Sequence, residues 1–242
     1  MTPPSFAELR TMAENARADA KAVRKKWETV GQLGDRNEDF ERVLKQLDSV
    51  IQFLESWRGD ASAFRSEAAR ETGDCHGVRG GTLRDWGKYE EATQAYDDGL
   101  TFEESSNRLG GQPNSYCLVQ RLVTRVLWKP QEFQRGERIK DLDVLLECER
   151  ALSVVRDQMK VLRKNDPWAQ ADVALLLQFL SEKPAGKHDE EDAESAWDSL
   201  DDLRPDHRVY ASTLQVVKLI AERLCPFQPQ CSWLYLQTRL TR

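Results

Sequence analysis

Apolar residues recur at spacings of three and four along most of the chain, which is the pattern of amphipathic α-helices. The run over residues 37–57 is the clearest, and a thinner apolar stripe over 5–30 precedes it. Ser5 and Glu8 begin that first stripe and predict a capping box at a helix N-terminus. Together the two runs predict an antiparallel helical hairpin. The apolar face of the second run consists of Phe40, Val43, Leu44, Leu47, Val50, Ile51, Leu54 and Trp57.

The second half of the chain continues the same periodicity. Asp166 followed by Pro167 predicts a helix start, because aspartate is a preferred N-cap and proline fits the first helical turn. The segment from Trp168 to Leu180 is apolar on nearly every face, so we expect it to be buried. The segment KPQEFQRGER at 129–138 is expected to be a loop. The helices predicted in this half are 115–128, 140–162, 168–180, 193–203 and 209–224.

Glycines are concentrated in the predicted helix 61–85, where each costs about 1 kcal/mol relative to alanine. Either a neighbouring helix approaches closely there, or the helix is interrupted by a ligand-binding loop. The patterns GxxxxGK[ST] and GxGxxG of phosphate-binding loops are absent, which favours close approach. The glycines are Gly73, Gly77, Gly80 and Gly81.

The stretch from Asp74 to Leu100 resembles a tetratricopeptide repeat (TPR), a helix–turn–helix unit of about 34 residues. The matching positions are Gly80, Leu83, Gly87, Tyr89, Ala92, Tyr96, Gly99 and Leu100. His76 replaces the usual tryptophan, and Glu104 stands near the usual closing proline. Because a single repeat cannot bury both of its faces, the resemblance implies stacking on flanking helices.

Three segments of the second half carry a further resemblance: DPWAQADVALLLQFL, AESAWDSL and VYASTLQVVKLIAERL. They are similar to the helical TRAF-binding region of the apoptosis signal-regulating MAP kinase kinase kinases. They are also similar to the TPR-like domains that accompany effector modules in bacterial conflict and signalling systems. Both resemblances imply a regulatory scaffold, with any kinase or effector activity carried elsewhere.

The expected fold is therefore an all-α, TPR-like helical-repeat superhelix with an N-terminal helical hairpin. We expect the hairpin over residues 1–60, the repeat domain over 61–224 and a C-terminal tail over 225–242. Trp233, Tyr235 and Leu236 are too apolar for the tail to remain in water. The tail either packs on the domain or docks on a partner, and a strand over SWLYLQT that pairs with another chain is a further alternative.

Composition narrows the classes of function. The chain of 242 residues has a formal net charge of −6, which disfavours a general nucleic-acid binder. No apolar stretch approaches the roughly 18 residues of a membrane-spanning helix. Five scattered cysteines, an odd number, indicate reduced thiols in a cytoplasmic protein.

Catalytic and metal chemistry find little support in the sequence. Adjacent helical residues such as Cys75 and His76 point about 100° apart, so they do not form a nucleophile–base pair. Cys225 and Cys231 lack zinc-knuckle spacing and are expected to be free thiols. The paired carboxylates lie on predicted solvent faces. We expect no enzymatic activity, no metal and no cofactor.

The TPR resemblance places a partner-binding groove on the first helix of each repeat. Gly77 and Gly81 would form a shallow floor, and Arg84 offers a guanidinium fork for a carboxylate or phosphate. We expect the groove to bind a protein partner, an effector or signalling protein, without contact with a membrane. The alternative is a sensor that binds a small anion such as a nucleotide near Gly77–Arg84. The groove residues are Asp74, Gly77, Gly81, Arg84, Asp85 and, on the next repeat, Arg121 and Arg125.

Surface salt bridges are the simpler explanation of these arginines. A second basic cluster, Arg24, Lys25 and Lys26, falls near the end of the first predicted helix. There it is expected to be solvated and favoured by the helix dipole, with a site for an acidic partner as the alternative.

Overall fold

The computed structural model describes residues 4–30, 36–57, 62–140, 142–182, 188–227 and 231–241. Within these ranges the chain is all-α, with eleven α-helices, one short 3₁₀ helix at Cys225–Phe227 and no strand. The turn expected at 32–35 and the RGD segment at 58–60 lie outside the described residues. The helices are α1 (Phe6–Val30), α2 (Arg36–Ser56), α3 (Ser62–Asp85), α4 (Tyr89–Arg108), α5 (Tyr116–Trp128), α6 (Pro130–Arg135), α7 (Val144–Val161), α8 (Pro167–Ser181), α9 (Glu190–Asp202), α10 (His207–Leu224) and α11 (Ser232–Leu240).

The capping residues act as the sequence predicts. Ser5 N–H donates to Glu8 Oε2 at 2.7 Å, and Glu8 N–H donates back to Ser5 Oγ at 3.4 Å. Asp166 Oδ1 accepts from Trp168 N–H at 2.9 Å at the start of α8. Each side chain satisfies a backbone group that the helix leaves without an internal partner.

The segment predicted as one loop, 129–138, contains α6. Pro130 occupies the first turn of this helix, and Gly136 ends it with a left-handed φ of 73°. The next helix, α7, begins at Val144 rather than at Lys140, because Asp143 caps it by accepting from Leu146 N–H at 3.1 Å. Both differences arise from local start and stop signals that outweigh the apolar periodicity.

The tail forms a helix, α11, so the alternative of a strand over SWLYLQT is wrong. Trp233 and Leu236 are buried, whereas Tyr235 is 62% exposed. Cys225 and Cys231 form a disulfide, which corrects the expectation that both are free thiols. Cys75, Cys117 and Cys148 are buried thiols that lie outside this disulfide.

The chain divides into two compact units, Met1–Arg121 and Leu122–Arg242, with the boundary inside α5. The hairpin expected at 1–60 belongs to the first unit together with α3 and α4, and the range 61–224 is divided between the units.

The first unit is built on an antiparallel α1–α2 pair. The Phe6 and Trp57 ring centroids are 5.1 Å apart at one end, and Trp27 Nε1 donates to Asp39 at 3.1 Å at the other. Both helices pack on α3, and α3 packs most extensively on α4. The apolar stripes of α1 and α2 meet in one core that also includes Cys75 and Val78 of α3.

The glycines of α3 permit this close helix packing, and α3 is uninterrupted from Ser62 to Asp85. A Cβ built on Gly80 would lie 2.8 Å from ring carbons of Tyr96 on α4, and one on Gly73 would lie 3.3 Å from the backbone oxygen of Gly99 on the same helix. Interruption by a ligand-binding loop is therefore wrong. The small residue at 80 and the aromatic residue at 96 therefore face each other across the α3–α4 contact.

Replacing Gly80 with valine is expected to destabilise the first unit by about 1–3 kcal/mol, because the added carbons overlap the buried Tyr96 ring. Gly80→Ala should cost less, since the gain of about 1 kcal/mol in helix propensity offsets part of the clash. Urea denaturation followed by circular dichroism measures both. Ala22→Val, on the exposed face of α1, is the control and should cost below about 1 kcal/mol. Equal losses at positions 80 and 22 would contradict the close α3–α4 contact.

The second unit places α8 between α7 and α9, and α10 packs on α8, α6 and α11. As expected from its sequence, α8 is buried at every position from Ala169 to Leu180. The Phe179 ring is central to the core, with its centroid 4.9 Å from that of Trp233 and 5.7 Å from that of Phe133.

Candidate functional site

The expected groove floor on α3 is covered by side chains from neighbouring helices. A Cβ on Gly81 would lie 2.8 Å from Arg24 Nη1, and one on Gly77 would lie 3.0 Å from the Tyr116 ring. Arg84 is only 3% exposed. The expectation of an open, shallow groove over these residues is therefore corrected, because α1 and the start of α5 fill the space that the missing side chains leave.

Arg84 and Asp85 belong to a buried ionic cluster that we call the arginine cluster: Arg24, Arg36, Arg84 and Asp85. Arg24 Nε donates to Asp85 Oδ2 at 2.6 Å, and Arg84 Nε donates to Asp85 Oδ1 at 3.1 Å. Arg36 donates to the backbone oxygen of Asp85. Arg84 Nη1 also donates to Gln120 Oε1 at 2.5 Å. Three guanidinium groups thus converge on one residue.

The pKa shifts follow from this geometry. Burial would raise the pKa of Asp85, but Arg24 and Arg84 outweigh burial and lower it. Burial would lower the pKa of Arg84, and Tyr96 and Asp85 outweigh burial and raise it. The cluster is consequently ionised at neutral pH, with more positive than negative charge.

The other predicted groove residues lie at separate places in the chain's two units and do not form one site. Asp74 is partly buried on α3, and burial raises the pKa of its carboxyl despite the opposing effect of Arg17. Arg121 Nη1 donates to Asp97 Oδ1 at 3.1 Å within the first unit. Arg125 is partly buried and belongs to the second unit. The structure therefore brings Arg84 and Asp85 into contact with each other. Arg121 instead forms an ion pair with Asp97, which was not a predicted groove residue.

The sequence interpretation missed the contribution of α1. Arg24, expected at a solvated helix end, has a side chain only 13% exposed and is ion-paired with Asp85. Arg10 and Arg17 precede it at seven-residue intervals, and Arg17 Nη1 lies 2.7 Å from Glu71 Oε2 of α3. Arginines repeated every seven residues lie on one helix face, and this spacing was the available sequence indication.

The second unit contains an open groove of about 440 Å³ over α8, which we call the α7–α9 groove. Its floor on α8 is apolar apart from the amide of Gln170, and its walls bear the charged and hydroxyl side chains. Arg156 and Lys160 of α7 are exposed on one wall, and Ser195 and Ser199 of α9 are exposed on the other. The remaining lining residues are Met159, Gln170, Val173, Leu177, Asp192 and Ala196.

Hydrogen bonds fix the groove's shape. Gln170 Nε2 on α8 donates to the backbone oxygen of Ala196 on α9 at 2.9 Å. His188 Nδ1 lies 2.9 Å from Asp192 Oδ2 at the start of the α9 wall. This contact lowers the pKa of Asp192, and Arg156 on the opposite wall lowers it further. The groove therefore carries cations on its α7 wall and a carboxylate on its α9 wall.

Cys75 and His76 do not form a catalytic pair in this arrangement. Cys75 is fully buried, Arg17 Nη1 lies 3.7 Å from its Sγ, and burial raises the pKa of its thiol to about 11. His76 Nε2 lies 3.4 Å from Glu55, and its ring stacks on Phe102. The thiol is therefore protonated at neutral pH, and the two side chains contact different residues, Arg17 and Glu55.

Among the described residues, no group of three or more His, Cys, Asp or Glu side chains is arranged to hold a metal ion. In the same part of the chain, no helix combines the length and apolarity needed to cross a membrane. No protein-family model, curated protein or solved structure matches the sequence or the fold.

Proposed function

We propose that this chain is a non-enzymatic, TPR-like interaction scaffold, a regulatory component of a bacterial signalling or defence system. A segment of a protein partner binds in the α7–α9 groove. The observation that carries the proposal is the groove itself, which combines an apolar floor with charged walls on one compact unit. The proposed partner-binding site therefore lies in the second unit and not in the groove expected on α3, where Arg84 is buried.

The groove's chemistry defines the partner segment. Val173 and Leu177 on the floor are buried and give an apolar side chain of the partner a contact surface. Met159 on the α7 wall is only partly buried, so covering it removes apolar surface from water, which favours association. Arg156 and Lys160 supply cations for a carboxylate of the partner, and the hydroxyl groups of Ser195 and Ser199 hydrogen-bond its backbone. We therefore infer a segment that carries an apolar anchor beside an acidic residue.

Exposed apolar side chains around α7 further support a binding role. Val161 is 76% exposed and Leu162 is 67% exposed at the end of α7, and Trp168 at the start of α8 is 44% exposed. Clustered exposed apolar residues are typical of interaction surfaces. The assignment to a bacterial regulatory system depends on the sequence resemblances alone.

Blocking the groove tests the proposal. Ser199→Arg places a long cationic side chain in the groove from an exposed position, and Arg156→Glu reverses the charge of the α7 wall. Each variant is expected to reduce affinity for the partner by about tenfold or more, a loss of roughly 1.4 kcal/mol. The measurement is quantitative co-purification of tagged full-length chain from its natural host.

The matched control is Ser153→Arg, an exposed serine on α7 outside the groove lining. This variant should recover the same partner as the unaltered chain. If Ser199→Arg and Arg156→Glu recover that partner as well as Ser153→Arg does, the groove is not the binding site. Thermal unfolding of every variant ensures that a lost interaction does not reflect a lost fold.

A further inference from the structure

The arginine cluster contains more positive charge than its surroundings neutralise. Arg24 and Arg84 donate to the carboxylate of Asp85, and Arg36 donates to its backbone oxygen, so three cations surround a residue that supplies one negative charge. The side chains of Arg84 and Asp85 are 2% and 11% exposed, so water screens their charges poorly. An excess of buried positive charge is costly unless an anion joins it.

Several hydrogen-bond donors at the cluster lack acceptors among the described residues. Arg24 donates to Asp85 through Nε, which leaves its terminal nitrogens beside Gly81 as further donors. Arg36 Nε is buried without a partner there. A buried unsatisfied donor in a native fold indicates a missing acceptor.

The hydroxyl of Tyr96 provides an independent indication. Tyr96 is 0% exposed, and its hydroxyl has no hydrogen-bond partner among the described residues. Burial and the neighbouring Tyr116 raise the pKa of Tyr96, while Arg84 and Arg24 act in the opposite direction. The hydroxyl therefore lies in the electrostatic field of the cluster and remains a protonated donor at neutral pH.

Lys21 connects this region with solvent. It is exposed on α1, four residues after Arg17 and three before Arg24, and it makes no ion pair with the described residues. Burial and the two flanking arginines lower the pKa of Lys21, and the carboxyl of Asp74 opposes this effect. An anion that approaches along α1 thus meets Lys21 before it reaches Arg24.

We propose that the arginine cluster, with Lys21 and the Tyr96 hydroxyl, binds a phosphate oxyanion, either free or as part of a phosphate-bearing small molecule. Guanidinium forks pair with two oxygens of a phosphate at once, and the tetrahedral group accepts from several directions. Its charge offsets the excess of arginines around Asp85. This site lies in the first unit and is independent of the α7–α9 groove. The proposal thereby assigns specific residues to the alternative expected from the sequence, a sensor of small anions near Gly77–Arg84.

Titration of the full chain with sodium phosphate, with sodium chloride at equal ionic strength as reference, tests the site. Phosphate is expected to raise the melting temperature in a saturable way, because a ligand that binds only the folded state stabilises it. Adenosine triphosphate and adenosine form two further arms. Stabilisation by the triphosphate beyond that by phosphate indicates a nucleotide, whereas equal stabilisation indicates the phosphate group alone.

Lys21→Gln is the informative variant, because its exposed side chain can be replaced without loss of the fold. It should weaken phosphate binding by about tenfold, the equivalent of one charge-assisted hydrogen bond. Arg24→Gln should abolish binding where it folds. Lys218→Gln, at an exposed lysine of α10 in the second unit, is the control and should bind normally. If phosphate stabilises the chain no more than chloride does, or if both lysine variants weaken binding equally, the site is refuted.

Discussion

Replacing Asp85 with asparagine is expected to destabilise the first unit by about 3–5 kcal/mol, the typical cost of breaking a buried ion pair. The variant leaves Arg24 and Arg84 without the carboxylate that both contact, although their guanidinium groups remain buried. Urea denaturation in phosphate-free buffer, followed by circular dichroism, measures the loss.

Asp85→Asn should also change how the free energy of unfolding depends on pH in the acidic range. The folded pKa of Asp85 is lower than its reference value of 3.8, so its contribution is fully present above that pH and is lost as pH falls through the folded pKa. The free energy of unfolding of Asp85→Asn should therefore not show this loss at acidic pH.

Asp48→Asn is the matched control for Asp85→Asn. Asp48 pairs with Arg79 at 2.7 Å, but its side chain is 45% exposed. Exposed pairs contribute between about 0 and 1 kcal/mol, so this variant should be nearly neutral. A cost at position 85 no greater than at position 48 would show that the arginine cluster is solvated rather than buried.

Replacing Trp197 with alanine is expected to destabilise the second unit by about 3–5 kcal/mol. Trp197 is 1% exposed, and its removal leaves a cavity among α8, α9 and α11. Its Nε1 also donates to Gln178 Oε1 at 3.2 Å, so that acceptor loses its partner. The measurement is the urea transition of the second unit, followed by circular dichroism.

Trp168→Ala provides the comparison, because Trp168 is 44% exposed at the start of α8. This change should cost less than about 1 kcal/mol. Similar costs for the two tryptophans would be incompatible with Trp197 as a core residue.

Apolar periodicity predicted the long helices because each buries one face against its neighbours. The all-round apolar segment of α8 and the capping residues Ser5 and Asp166 were correctly interpreted for the same local reasons. Two short helices, α6 and α11, were not predicted. The first begins at a proline, Pro130, and the second comes shortly after prolines in the sequence; segments of six and nine residues are also too short to establish a convincing period.

The arginine cluster was only partly predictable, because it depends on contacts between residues far apart in the chain. Arg84 and Asp85 were identified from the repeat register, but Arg24 reaches Asp85 across 61 positions and Arg36 across 49. The register indicates which face of α3 is available, whereas only the packed helices determine what covers it. The α7–α9 groove likewise requires three helices to be placed together.

Photocrosslinking from the α7–α9 groove tests the central functional claim most directly. A benzoylphenylalanine introduced at Ser199 should form one dominant crosslinked adduct with the partner in the natural host, and the mapped peptide should contain an apolar residue beside an acidic one. The same probe at Ser153, on the exposed surface of α7 outside the groove, should not yield that adduct. Equal yields of the same adduct from both positions, or a crosslink at Ser153 alone, would contradict the groove as the partner-binding site.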